Sequence, residues 1–225
     1  MGGYVGPMTA LLVAAIMFVA THIGLAAPRI RRALIGALGD RPFLLGYVLI
    51  AAATLIWMVR AYKTAPLVLL WSPPVWAWHV APLLMLAAAI LFLGSMNPAN
   101  RALLGARGGA VSGVLRITRH PMMWAFAIWA VVHAWLGGDE ATLILCAAVA
   151  VLALGGAAAQ DIKKDALAGP EWAAYRRQTS FWPFGRGFAG PGWRATMLGT
   201  ALLLVATWAH PYLGAPAVPP WHWPS

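Results

Sequence analysis

Acidic residues are scarce in this chain. Of 225 residues only six are Asp or Glu, against sixteen Lys or Arg, giving a formal net charge of +10. Charged residues of both signs make up 10% of the sequence, too few to coat a water-soluble domain. Cysteine is limited to Cys146, so no intrachain disulfide can form and no C-x-x-C-H haem attachment exists. Cys146 sits in an Ala-rich run and reads as a small packing residue. The chain has no P-loop, no G-x-G-x-x-G after a strand, no H-E-x-x-H and no internal repeat. No gap between apolar runs can house a soluble catalytic domain, so any chemistry falls within or at the edge of a helix bundle.

What is abundant is apolar: 61% of residues are hydrophobic. Six runs are long enough to cross ~30 Å of hydrocarbon, at roughly 7–27, 43–61, 75–95, 121–137, 140–160 and 195–213. The expected fold is therefore all-α, a polytopic membrane bundle of about six helices forming a single domain over 1–225. No Lys or Arg precedes the first run, which reads as a retained span rather than a cleaved signal.

The basic residues cluster by gap. Arg29, Arg31, Arg32 and Arg41 fall in the first, and Arg101, Arg107, Arg116 and Arg119 in the third. The fifth has Lys163, Lys164, Arg176, Arg177, Arg186 and Arg194, which brings the three gaps to fourteen of the sixteen. The fourth gap, Gly137-Gly138-Asp139-Glu140, is acidic. The positive-inside rule then puts the odd gaps in the cytoplasm and both termini on the outer side of a bacterial inner membrane. It also explains the net charge without nucleic acid. Trp71, Trp76, Trp78, Trp208, Trp221 and Trp223 flank the outer ends of spans three and six as an aromatic belt. The stretch from Ala168 to Phe184 alternates aromatics with cations and suits a segment at the headgroup level, against membrane lipid.

The informative stretch is Arg119-His120-Pro121 at the mouth of span four, with His133 deep within it. Intramembrane ionisable groups are costly and tend to mark function. Pro121 fits the first helical turn and places His120 at the N-cap. Arg119 and His120, with Arg31 or Arg32 close by, are expected to hold an anionic group at the cytoplasmic face; as plain anchors they would instead snorkel and cap. His133 shares a helix face with Phe126 and Trp129 and looks into an aromatic slot, or else hydrogen-bonds a neighbouring carbonyl. His22 lies toward the cytoplasmic end of span one, beside Gly24, where a planar macrocycle would find room. His79 reads as interfacial packing, and His210 and His222 as solvated groups near the outer face. His120 and His133 lie thirteen residues apart, ~20 Å along a helix, so one iron cannot take both. Two histidines from different helices can hold a haem b without any covalent motif.

These residues resemble the NnrU family, which includes the zeta-carotene isomerases. The resemblance rests on His22, Gly24, Leu25, Arg31, Arg32, Arg119, His120, Pro121, Trp129 and His133, then Gly169, Glu171, Trp172, Thr179, Ser180, Pro183 and Phe184. It implies a haem b with His22 and His133 as axial ligands and a propionate at the Arg119–His120 site. Counting residues puts His22 ~9 Å and His133 ~20 Å above the cytoplasmic ends of their helices, so the macrocycle would lie oblique. His22 with His120 is the rival pair. The isomerase branch implies redox-gated isomerisation of a hydrophobic polyene-type substrate, and the bacterial branch a link to nitric oxide and denitrification. A non-catalytic haem or partner-binding protein is the alternative from another class. A more distant similarity, through Arg-His-Pro and a Gly-x-Glu-Trp segment, is to the integral-membrane methyltransferases. There the anion would be the S-adenosylmethionine carboxylate. Where those enzymes carry paired glutamates, this chain reads Gln160-Asp161.

Overall fold

The computed structural model describes residues 6–103, 108–167 and 169–213. Their regular structure is helical, with two isolated bridges and no strand among the described residues. The helices are α1 (Pro7–Ala26), α2 (Pro28–Leu38), α3 (Asp40–Thr64), α4 (Val75–Gly94), α5 (Val114–Ile117), α6 (Pro121–Gly137), α7 (Glu140–Leu167), α8 (Gly169–Gln178) and α9 (Trp193–Ala209). A 3-10 turn, His210–Leu213, follows α9. Among the described residues four helices are long and apolar enough to cross a membrane: α1, α3, α4 and α7 from Glu140 to Ala166. Helix α6 is apolar but shorter, 17 residues, so the run at 121–137 falls short of the full span length expected for it. The sixth expected run is α9 plus the 3-10 turn.

Punctuation follows local chemistry. Pro7, Pro28 and Pro121 each occupy a first turn, where a missing N–H costs nothing. Gly138 ends α6 in the left-handed conformation, φ +66°. Its carbonyl accepts from the Leu70 and Trp71 amides at 2.8 and 3.1 Å. A Cβ there would stand 2.2 Å from the Trp71 carbonyl oxygen, so only glycine fits. The Asp139 carboxylate then accepts from the Thr142 amide at 2.9 Å and opens α7.

Helix α7 is the spine. It packs against α1 on one flank and α6 on the other, while α3 lies on α1. Helix α4 lies against α6 and in turn carries α9. Gly199 of α9 comes so close to α4 that a Cβ would meet Ile90 backbone atoms at 2.7 Å. One core joins Leu11, Ala14 and Phe18 to Met58, Ala61, Ala141 and Ala148; the other joins Ala88 and Leu91 to Val114, Ile117, Ala125 and Ala195. Outside these cores the helices stay apolar, with Leu45, Leu49, Leu83, Val131 and Leu204 all exposed, as lipid-facing surfaces require. The Lys/Arg-rich gaps and α2, α5 and α8 gather at one end of the bundle, here called the basic end. The Gly138 turn marks the other.

Candidate functional site

Scarcity makes the acids informative: three of the six tie down the basic end. Glu171 of α8 pairs with Arg101 at 2.6 Å. Asp165 pairs with Arg176 and accepts from the Trp172 indole at 2.8 Å. The third, Asp161, is buried in α7. Arg119 donates to it through Nε at 2.8 and 3.0 Å and also through Nη2. His120 Nε2 lies 2.7 Å from its Oδ1. Arg119 and His120 are buried as well, the His120 side chain fully.

The anion expected at Arg119 and His120 is therefore met within the chain, by Asp161. Arg31 and Arg32 take no part. Arg31 stands over the Phe43 ring at 5.4 Å, and Arg32 donates to the Pro28 carbonyl at 3.1 Å.

A second segment locks this site. Thr118 Oγ1 donates to the Phe181 carbonyl at 2.7 Å, and the Arg119 amide to the Ser180 carbonyl at 2.7 Å. The Trp124 indole donates to the Phe181 carbonyl at 2.8 Å, and the Phe184 amide to the Ile117 carbonyl at 2.9 Å. Phe184 takes a positive φ of 59°, costly for a bulky residue and held by these bonds. The Phe181 ring packs edge-on to His120, with centroids 5.6 Å apart. Arg-His-Pro and Thr-Ser-Phe-Trp-Pro-Phe, sixty residues apart in sequence, thus form one unit.

Two hollows flank it. An open cleft of about 590 Å³ is lined by Arg119, Arg176, Arg177, Arg186, Thr179 and Ser180 among others. A smaller cavity of about 220 Å³ lies between His120 and Gln160.

The other histidines lie elsewhere. His22, His133 and His210 each point Nδ1 at the carbonyl four residues back, Phe18 at 2.6 Å, Trp129 at 2.8 Å and Ala206 at 2.6 Å. A carbonyl only accepts, so Nδ1 carries the proton and Nε2 the lone pair. His133 stacks on Trp129, with ring centroids 4.2 Å apart, so the expected pairing of these two residues is met.

His22 and His133 are not brought together. They lie on α1 and α6, on opposite flanks of α7. Ile23, next to His22, reaches α7 at Gly155, whereas Ala134, next to His133, reaches it at Cys146. Nine residues of helix separate those levels, ~14 Å. The ring facing His133 is instead His210, with centroids 6.2 Å apart and planes within 26°. His120, the ligand in the rival pair, has Nε2 committed to Asp161.

Sequence reasoning passed over His210 because a histidine at the end of the last apolar run looks solvated. It noted Gln160-Asp161 without pairing Asp161 to Arg119. The signal for that pair was the scarcity of acids, six in the chain, with one of them in Gln160-Asp161. His222 and Arg107 lie outside the described residues. Among the described residues no group of three or more His, Cys, Asp or Glu could hold a metal ion.

The architecture and the buried polar site define an all-helical protein with membrane-spanning helices. The family model described as NnrU protein matches residues 10–217. The chain belongs to the NnrU family. No curated protein and no solved structure matches it.

Proposed function

We propose that this chain is a haem b-binding membrane protein, with His133 and His210 holding the iron. The supporting observation is the facing imidazole pair. Each ring has its Nδ1 proton tied to its own helix, which leaves Nε2 as the free donor atom. The two imidazoles come from different elements and lie 6.2 Å apart, centroid to centroid, and such a pair is the donor set with which a helix bundle would hold a haem iron. Both rings are half-buried, on helices that flank α4, so the donor set fits a macrocycle entering from the lipid side. When bound, haem b would supply one-electron chemistry and a metal centre for a small ligand such as nitric oxide or a hydrophobic polyene-type substrate.

The chain's own part is positional. The Trp129 carbonyl fixes the tautomer of His133, and the Trp129 ring fixes its plane. Asp161 takes Arg119 Nε and Nη2 and His120 Nε2, while Arg119 also borders the open cleft lined by Arg176, Arg177 and Arg186. The basic end faces the cytoplasm of a bacterial inner membrane, by the charge asymmetry of the gaps.

The test is an absorption spectrum of the purified protein titrated with haem b. One haem per chain, with the narrow α and β bands of a low-spin six-coordinate iron on reduction, is expected. Haem that elutes on size exclusion, or a purely five-coordinate spectrum, refutes the proposal.

A further inference from the structure

Arginine is in excess at the open cleft of the basic end. Four guanidinium groups border it, those of Arg119, Arg176, Arg177 and Arg186. Asp161 matches Arg119, and Asp165, itself in the lining, matches Arg176. Arg177 and Arg186 have no acidic partner among the described residues. We propose that this cleft binds the phosphate group of an anionic membrane lipid, with Arg177 and Arg186 as its main holders.

The two unmatched cations stand on different braced elements. Arg177 is in the last turn of α8. Arg186 lies at the tip of the turn Gly185-Arg186-Gly187. The Gly185 amide donates to the Trp182 carbonyl at 3.1 Å and the Gly187 amide to the Phe184 carbonyl at 2.9 Å. The Phe184–Ile117 bond ties this turn to the Arg-His-Pro segment, so the site is organised before a ligand arrives. A Cβ on Gly185 would stand 2.2 Å from Ser180 Oγ, so glycine keeps this wall of the cleft open. Ser180 adds a hydroxyl to the lining. Guanidinium forks and a hydroxyl together offer N–H and O–H donors to the tetrahedral oxygens of a phosphate. The one carboxylate in the lining is already answered. Asp165 Oδ1 accepts from the Trp172 indole at 2.8 Å, and Oδ2 takes Arg176.

The surroundings select a lipid as the carrier of that phosphate. The rim beside Arg186 is aromatic and open: Trp182, Phe184, Phe188 and Trp193 are 63%, 46%, 91% and 72% exposed. Rings of this kind suit the headgroup level of a bilayer, with their apolar bodies against the acyl chains. Trp182 lies against Trp124 of α6, with ring centroids 5.4 Å apart, so the rim runs onto an apolar helix along which acyl chains can lie. The cleft, about 590 Å³, falls within the roughly 300–1,000 Å³ of small-ligand sites and has room for a lipid head. The positive-inside rule asks only that cations lie in this gap, whereas a lipid site asks that they converge, as these do. His133 lies ~20 Å along α6 from the Arg119 end, so the inference is independent of the haem proposal.

The purified full-length protein, delipidated in detergent, is titrated with dioleoylphosphatidylglycerol, dioleoylphosphatidylcholine and soluble glycerol 3-phosphate, and bound species are read by native mass spectrometry. The first phosphatidylglycerol should bind with a Kd at least tenfold below that of phosphatidylcholine, whose phosphate is offset by its own cation. It should bind at least tenfold more tightly than glycerol 3-phosphate, which has no acyl chain. Arg177→Gln with Arg186→Gln, both exposed, should weaken phosphatidylglycerol tenfold or more at an unchanged thermal midpoint. Arg29→Gln with Arg41→Gln removes the same charge from exposed positions elsewhere on the basic end and should change the Kd less than twofold. The inference is overturned by phosphatidylcholine or glycerol 3-phosphate binding as tightly as phosphatidylglycerol, or by no saturable lipid binding. A loss in the Arg29 and Arg41 variant equal to that in the Arg177 and Arg186 variant overturns it as well, since diffuse surface charge then accounts for the binding.

Discussion

Replacing Asp161 by Ala removes the only anion among the described residues that Arg119 and His120 share. Arg119 and Asp161 side chains are 8% and 10% exposed, so each charge is largely shielded from water once its partner is gone. Removing one partner of a buried pair typically costs about 3–5 kcal/mol, most of it the penalty of the charge left behind. Here the loss should sit in the upper half of that range, because the His120 Nε2–H is orphaned at the same time. Removing both charges should cost much less than the sum. Arg119→Met with Asp161→Leu should recover at least ~2 kcal/mol relative to additivity, the sign of direct coupling. The assay is reversible unfolding in mixed micelles, followed by tryptophan fluorescence. Trp124 and Trp182, with ring centroids 5.4 Å apart beside the site, provide a local signal. A single-variant loss under ~1 kcal/mol, or additive losses in the double variant, would refute the clamp.

Other consequences can be checked separately. Gly138→Ala should cost at least about 2 kcal/mol, from the left-handed φ and the contact with the Trp71 carbonyl, and should lower the thermal midpoint; an unchanged midpoint would deny that turn. Gly199→Val should push α9 off α4, separate His210 from His133 and reduce haem retention in the purified protein more than stability alone explains. In a Cys146→Ala background, Leu67→Cys should react with an impermeant maleimide on intact cells and Arg186→Cys only after lysis. Labelling of both from outside contradicts the orientation.

How much of this could be read in the sequence depended on the range of the interaction. The spans were legible because burial in lipid is written locally, in composition and length. Pro121 announced the start of α6, and the Trp129–His133 stack followed from i, i+4 spacing on one helix. Helix α2 was not read, since eleven amphipathic residues between two spans look like a linker. The partner of Arg119 lies forty-two residues away on another helix, and no local pattern selects Asp161 from the other acids. Depth counting gave His22 and His133 an offset of ~11 Å. It could not reveal that α7 stands between them, which is a property of packing order. His210 faces His133 only because Gly199 lets α9 approach α4, a contact between helices a hundred residues apart.

The most direct test of the iron site compares reduced absorption spectra of three haem-loaded variants. His133→Ala and His210→Ala should each lose the six-coordinate low-spin spectrum, while His22→Ala keeps it. A wild-type spectrum from His210→Ala, with its loss in His22→Ala, would contradict the account.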